Sequence, residues 1–115
     1  MERVCFTMQV RPHLIEEYRA VHAAVWPHML QAIEAAGRRN YSLFLREDGL
    51  LVGYYEVNDR RASERALAAD PRTMEWEERA RHFFEGHEGR PDQGTQPLLE
   101  VFNLADQLAS LGHRS

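Results

Sequence analysis

Apolar and polar residues alternate from the start of the chain. In residues 3–10, Val4, Phe6, Met8 and Val10 point one way, while Cys5, Thr7 and Gln9 point the other, which predicts a half-buried strand. Arg11-Pro12 breaks it, and the period then changes. At about 100° per residue, Leu14, Tyr18, Val21, His22, Val25, Trp26, Met29, Ala32 and Ile33 share one side of a helix, with Glu16, Glu17, Arg19, Gln31 and Glu34 elsewhere. That helix is expected over residues 13–36, capped at Gly37 and kinked after Trp26 by Pro27. Alternatively it ends at Val25 and a second helix begins. Residues 40–46 and 50–57 read as two strands joined by a hairpin at Glu47-Asp48-Gly49. Both faces of this pair carry apolar or aromatic residues. Helices of the same chain can cover one face, so a second sheet, from another subunit, is expected on the other.

Asn58-Asp59 opens a helix over residues 60–69, and Asp70-Pro71 starts another reaching about Phe84, with Trp76, Ala80, Phe83 and Phe84 inward. Residues 86–97, rich in glycine, proline and polar side chains, form a loop long enough to cover a site. A last strand follows over 98–104, and the tail 105–115 is a short amphipathic helix or frayed. The order β-α-β-β-α-β defines a single α+β domain over 1–104, a ferredoxin-like antiparallel sheet with helices on one face.

Composition narrows the function. With 115 residues, 43% apolar and 28% charged, the chain fits one domain of modest core. A net charge of −4 without a basic stripe argues against nucleic acid, whose affinity comes largely from phosphate neutralisation. No run approaches a membrane span, and no charged n-region with a long apolar stretch opens the chain, so a soluble cytoplasmic protein is expected. Cys5, the single cysteine, forms neither an intrachain disulfide nor a CxxC site. None of the six histidines is spaced i, i+4 with another, so metal binding has no local support. No glycine-rich phosphate loop or nucleotide fingerprint suggests a cofactor.

His22 conflicts with the apolar stripe that carries it. An inward imidazole either finds a hydrogen-bond partner in the core or faces a cavity. Trp26 and Trp76 are core fillers or ligand platforms, and Tyr18 and Tyr41 need partners for their hydroxyls if buried.

Tyr18-x-x-x-His22-x-x-x-Trp26-Pro27, then Asn40-Tyr41, Trp76, Pro91-Asp92 and Glu100-Val101-Phe102, together with the opening Met8-Gln9-Val10, resemble the L-rhamnose mutarotase family over residues 3–104. The resemblance implies a cofactor-free homodimer, a dimeric α/β barrel of ferredoxin-like subunits. Its substrate would be a monosaccharide, L-rhamnose or a related 6-deoxy-hexose. His22 would be the general acid, with Tyr18, Tyr41 and Trp76 binding the sugar. Two places depart from the family pattern. Glu77 stands where a second tryptophan usually follows the first, and residues 90–95 read Arg-Pro-Asp-Gln-Gly-Thr instead of Asn-Pro-Asp before Ser-Pro. Two other functions fit the same architecture: a cofactor-free oxygenase of the dimeric α/β-barrel type, or a non-catalytic small-molecule binding module.

Overall fold

A computed structural model describes residues 1–85 and 95–112. Strand β1 (Glu2–Gln9) is followed by a 3-10 turn and helices α1 (Ile15–His22) and α2 (Pro27–Ala35). The hairpin β2 (Arg39–Leu45) and β3 (Leu50–Val57) comes next, then α3 (Arg60–Ala69), α4 (Pro71–Ala80), a short β4 (Gln96–Pro97) and α5 (Leu104–Gly112). The strands form one sheet in the order β2-β3-β1-β4, antiparallel at every pairing. This is the ferredoxin-like arrangement that the sequence pattern predicts.

The alternation in β1 decides which face becomes the core. Val4, Phe6, Met8 and Val10 are buried beneath the helices, joined by Leu51, Tyr55 and Val57 of β3 and by Tyr18, Ala80, Phe83 and Phe84. Phe6 lies directly opposite Gly53 in the β1–β3 ladder. A Cβ at residue 53 would stand 2.2 Å from the Phe6 ring, so only glycine leaves the ring its place. The hairpin turns through Gly49 at φ +94°, where a Cβ would meet the Val10 carbonyl oxygen at 2.2 Å. Gln9 supports the turn by donating from Nε2 to the carbonyls of Val10 and Asp48.

The long helix expected over 13–36 is two helices. The residue before a proline is pushed out of the α region, and Trp26 adopts φ −55°, ψ 134°, with Pro27 as the first residue of α2. The single stripe is therefore divided. Tyr18 is buried on α1 and Met29 and Ala32 on α2, while Val21 is 37% exposed.

Helices α3 and α4 begin where their caps predict. The Asp59 side chain accepts from the Ala62 N–H, and Asp70 accepts from the Arg72 N–H ahead of Pro71.

The last strand differs from expectation. Pairing with β1 is limited to Phe6–Pro97 and Thr7–Gln96, and residues 98–103 are irregular. Pro97 has no N–H to extend the ladder. The Leu98 N–H still donates to the Cys5 carbonyl (2.8 Å), after which the chain is held by side chains. Glu100 and Asp106 both receive the Arg3 guanidinium. The outer face of the sheet carries Cys5, Thr7, Val52, Tyr54 and Phe44, and Phe44 is 64% exposed.

Candidate functional site

Between the inner face of the sheet and the helices lies a cavity of about 280 Å³. That is close to the lower end of small-molecule sites, roughly 300–1,000 Å³. Tyr18, His22, Tyr41 and Trp76, the four residues singled out from the sequence, all line it.

His22 closes the C-terminal end of α1. Its ring stacks on Tyr18 with centroids 4.0 Å apart and meets the edge of Trp76 at 5.4 Å. Nδ1 lies 3.0 Å from the Tyr18 carbonyl oxygen. A carbonyl only accepts, so Nδ1 carries the proton and, in the neutral ring, Nε2 carries the lone pair. Burial lowers the His22 pKa below its usual value, and the bond to the Tyr18 carbonyl opposes this without reversing it. Both readings of this histidine from sequence are realised together: one nitrogen is satisfied by backbone, and the ring lines a cavity.

Tyr18 is buried against the edges of Phe83 and Phe84. Burial, reinforced by Tyr41 and the Glu77 carboxylate, raises its hydroxyl far above the usual phenol range. Tyr41 is pushed up to about 12, again chiefly by burial, with Arg38 working against the rise. Both therefore remain O–H donors at any physiological pH. Trp76, on α4, is buried. Trp26 stands against its outer side, with centroids 5.2 Å apart.

Tyr41 sits just after a β-bulge. Arg39 pairs with Glu56 and Ser42 with Tyr54, so β2 has one residue more than β3 between these pairs. Asn40 absorbs it at φ 51°, a left-handed conformation that asparagine tolerates.

Four further polar lining residues did not emerge from sequence reasoning as site residues: Arg38, Tyr55, Arg60 and Glu64. Arg38 precedes the bulge and Tyr55 lies on the cavity floor of β3, positions that no spacing rule marks. Glu77, the family departure, turns inward. It is 8% exposed and lines the cavity. Gln9 holds the hairpin and Glu100 holds Arg3, both away from His22. Of the loop expected over 86–97, residues 86–94 lie outside the described residues, and Thr95 lines the cavity. Pro91 and Asp92 also lie outside them. Among the described residues, no group of three or more His, Cys, Asp or Glu could hold a metal ion, and no helix is long and apolar enough to cross a membrane.

Residues 3–104 match the profile of the family described as L-rhamnose mutarotase. The chain belongs to that family. The L-rhamnose mutarotase of Opitutus terrae is 34% identical over 107 residues, 90% of this chain and 99% of that one. The L-rhamnose mutarotase of Listeria monocytogenes serotype 4b is 46% identical over 61 residues; that match spans only 52% of this chain and 59% of the relative. A crystal structure of an L-rhamnose mutarotase from Formosa agariphila superposes with a TM-score of 0.74 at 24% identity, covering 90% of this chain and 99% of that one. At that identity the superposition speaks for the fold. The family is one of isomerase-type enzymes acting by mutarotation, and the ferredoxin-like α+β fold agrees with it.

Proposed function

We propose that this protein is a cofactor-free mutarotase that interconverts the α and β anomers of L-rhamnose or a related 6-deoxy-hexose. His22 moves the proton, and Tyr18, Tyr41 and Trp76 bind the sugar. The supporting observation is the environment of His22: a neutral imidazole, tautomer fixed through Nδ1, in the wall of a cavity of monosaccharide size shared with two phenols and an indole.

Mutarotation requires one proton to leave the anomeric hydroxyl and one to reach the ring oxygen. The C1–O5 bond breaks with its electron pair going to O5, C1 becomes an aldehyde, and rotation about C1–C2 exposes its other face to reclosure. Both oxygens are attached to C1, so one imidazole can serve both. Nε2 accepts the anomeric proton and returns it to the ring oxygen, and the reverse sequence closes the ring. The Tyr18 carbonyl steadies the transient imidazolium through Nδ1–H. The two phenols donate to sugar hydroxyls, while the indole of Trp76 offers a plane for the apolar C–H face.

The half-exposed outer face of the sheet and the exposed segment Leu98–Phe102 favour a homodimer in which a second copy covers them. The charge balance and the sugar substrate suit a cytoplasmic enzyme that engages neither nucleic acid nor membrane. The test is NMR magnetisation exchange between the anomers of several deoxy-hexoses. Wild type is expected to accelerate exchange, and His22→Ala to lose roughly 10²–10⁴-fold of it. Equal rates in the two proteins would remove His22 from the mechanism, and no acceleration with any sugar would remove the enzyme reading.

A further inference from the structure

Two guanidinium groups line the cavity, and they are treated differently by their surroundings. Arg60 is matched: its Nε lies 3.0 Å from Glu64, one turn along α3. Arg38 is not matched by any carboxylate among the described residues. Its Nε donates to the hydroxyl of Ser63 at 3.0 Å, and its Cζ lies over the Tyr55 ring at 4.1 Å and 5.8 Å from the centroid of Tyr41. Ser63 is 2% exposed and Tyr55 3%, so both supports are core groups. Guanidinium has five N–H donors; Nε uses one on Ser63 and the Tyr41 hydroxyl accepts another, which leaves three on the terminal nitrogens. The terminal nitrogens thus form a fixed, planar fork at the cavity wall, braced by a ring below and a hydroxyl beside it. Arg38 is held by Ser63, Tyr55 and Tyr41, and His22 by Tyr18 and Trp76, so the fork and the imidazole rest on different supports in one cavity.

We propose that Arg38 is a substrate-binding, specificity-determining residue whose terminal N–H groups hold a pair of neighbouring ring hydroxyls of the sugar, with Ser63 as its positioning residue. The assignment rests on the mutarotase reading for the ligand being a sugar. A neutral diol suits the cavity because the charges lining it already balance, Arg38 and Arg60 against Glu64 and Glu77, leaving no surplus positive charge to favour a sugar carboxylate. The fork geometry accepts two vicinal oxygens as readily as the two of a carboxylate, without adding charge.

The test is tryptophan-fluorescence titration with methyl α-L-rhamnopyranoside, whose anomeric centre is locked, and with its 2-, 3- and 4-deoxy analogues. A charge-assisted hydrogen bond is worth about 10- to 100-fold in binding, so Arg38→Met should weaken the parent glycoside by that factor. In anomer exchange it should raise KM and leave kcat in place. At least one deoxy analogue should bind wild type more weakly by a similar factor and lose nothing further in Arg38→Met. Ser63→Ala should weaken the parent glycoside in the same direction, less severely, and only for sugars that keep the hydroxyls in question. It carries the test if Arg38→Met fails to fold. Unchanged binding in Arg38→Met, additive losses for all three analogues, or tighter binding of a hexuronate than of the neutral glycoside would each overturn the proposal. Binding that depends on Arg38 without any anomer exchange in wild type would instead overturn the mutarotase reading and leave Arg38 standing.

Discussion

His22 is held by two opposing influences, and their balance predicts a pH profile. Burial disfavours the imidazolium, so the pKa in the fold lies below that of a free side chain, near 6.5. The neutral base therefore persists to lower pH than in free imidazole. Anomer exchange should hold level through neutrality and fall only on acidification through that depressed value; His22→Ala should flatten the acid limb. The same shift has a stability consequence. Because the unfolded chain binds this proton more readily, the His22 contribution is complete above about pH 6.5 and is lost as pH falls through the folded-state value. Urea midpoints measured against pH should show a steeper acid decline in wild type than in His22→Asn. At this scale the sequence was informative where a residue broke its own pattern. A histidine on an apolar stripe is conspicuous, and Tyr18 lies one turn away. Arg38 is not conspicuous: an arginine beside another arginine after a helix-capping glycine reads as solvent-facing, and only the three-dimensional packing of Tyr55 and Ser63 says otherwise.

Elements followed the sequence where local chemistry decides them. Asp59 and Asp70 cap the helices and Asp48-Gly49 turns the hairpin, whereas Pro27 starts a second helix where a kink in one long helix was the first expectation. The last strand was less legible, because a strand is defined by its partner and alternation alone cannot say how far the partner edge extends. β1 and β3 carry the sharpest element-level prediction. Phe6 occupies the space above Gly53, so Gly53→Ala forces the ring to shift or the strands to part, at a cost of about 1–3 kcal/mol by equilibrium denaturation. Pairing it with Phe6→Leu should recover part of the loss, since the obstructing ring atoms are gone.

For the whole molecule, the asymmetry of the sheet matters most. One face is covered by four helices around the cavity. The other presents Phe44 on β2 at 64% exposure, and at the opposite edge of the sheet, just after β4, Leu99 and Val101 are 87% and 86% exposed. That much exposed apolar surface fits an association face. Phe44→Asp, which leaves every cavity-lining residue in place, should convert a dimer into a monomer by light scattering at micromolar concentration. A wild-type chain already monomeric under those conditions would count against the homodimer. The two-sided apolar character of the β2–β3 pair was readable from sequence, whereas the depth of the cavity under the first face was not. It depends on how α1 and α2 are set after the break at Trp26.

The surplus residue in β2 has a consequence for the way this site can change. Counting back from Ser42 along an unbroken strand, Tyr41 would face the helices, Asn40 the outside, Arg39 the helices and Arg38 the outside. The extra position at Asn40 shifts the frame by one, so Arg39 pairs outward with Glu56 and Arg38 arrives at the cavity. The two arginines are chemically identical, so the backbone at Asn40 decides which of them reaches the cavity. Flattening the bulge with Asn40 kept would set Asn40 opposite Glu56 and turn Arg39 inward, where neither Ser63 nor Tyr55 is arranged to hold it; deleting Asn40 would instead leave Arg39 opposite Glu56 and Arg38 at the cavity. Selectivity in this family member therefore depends on one left-handed backbone position that contributes no side chain to the cavity.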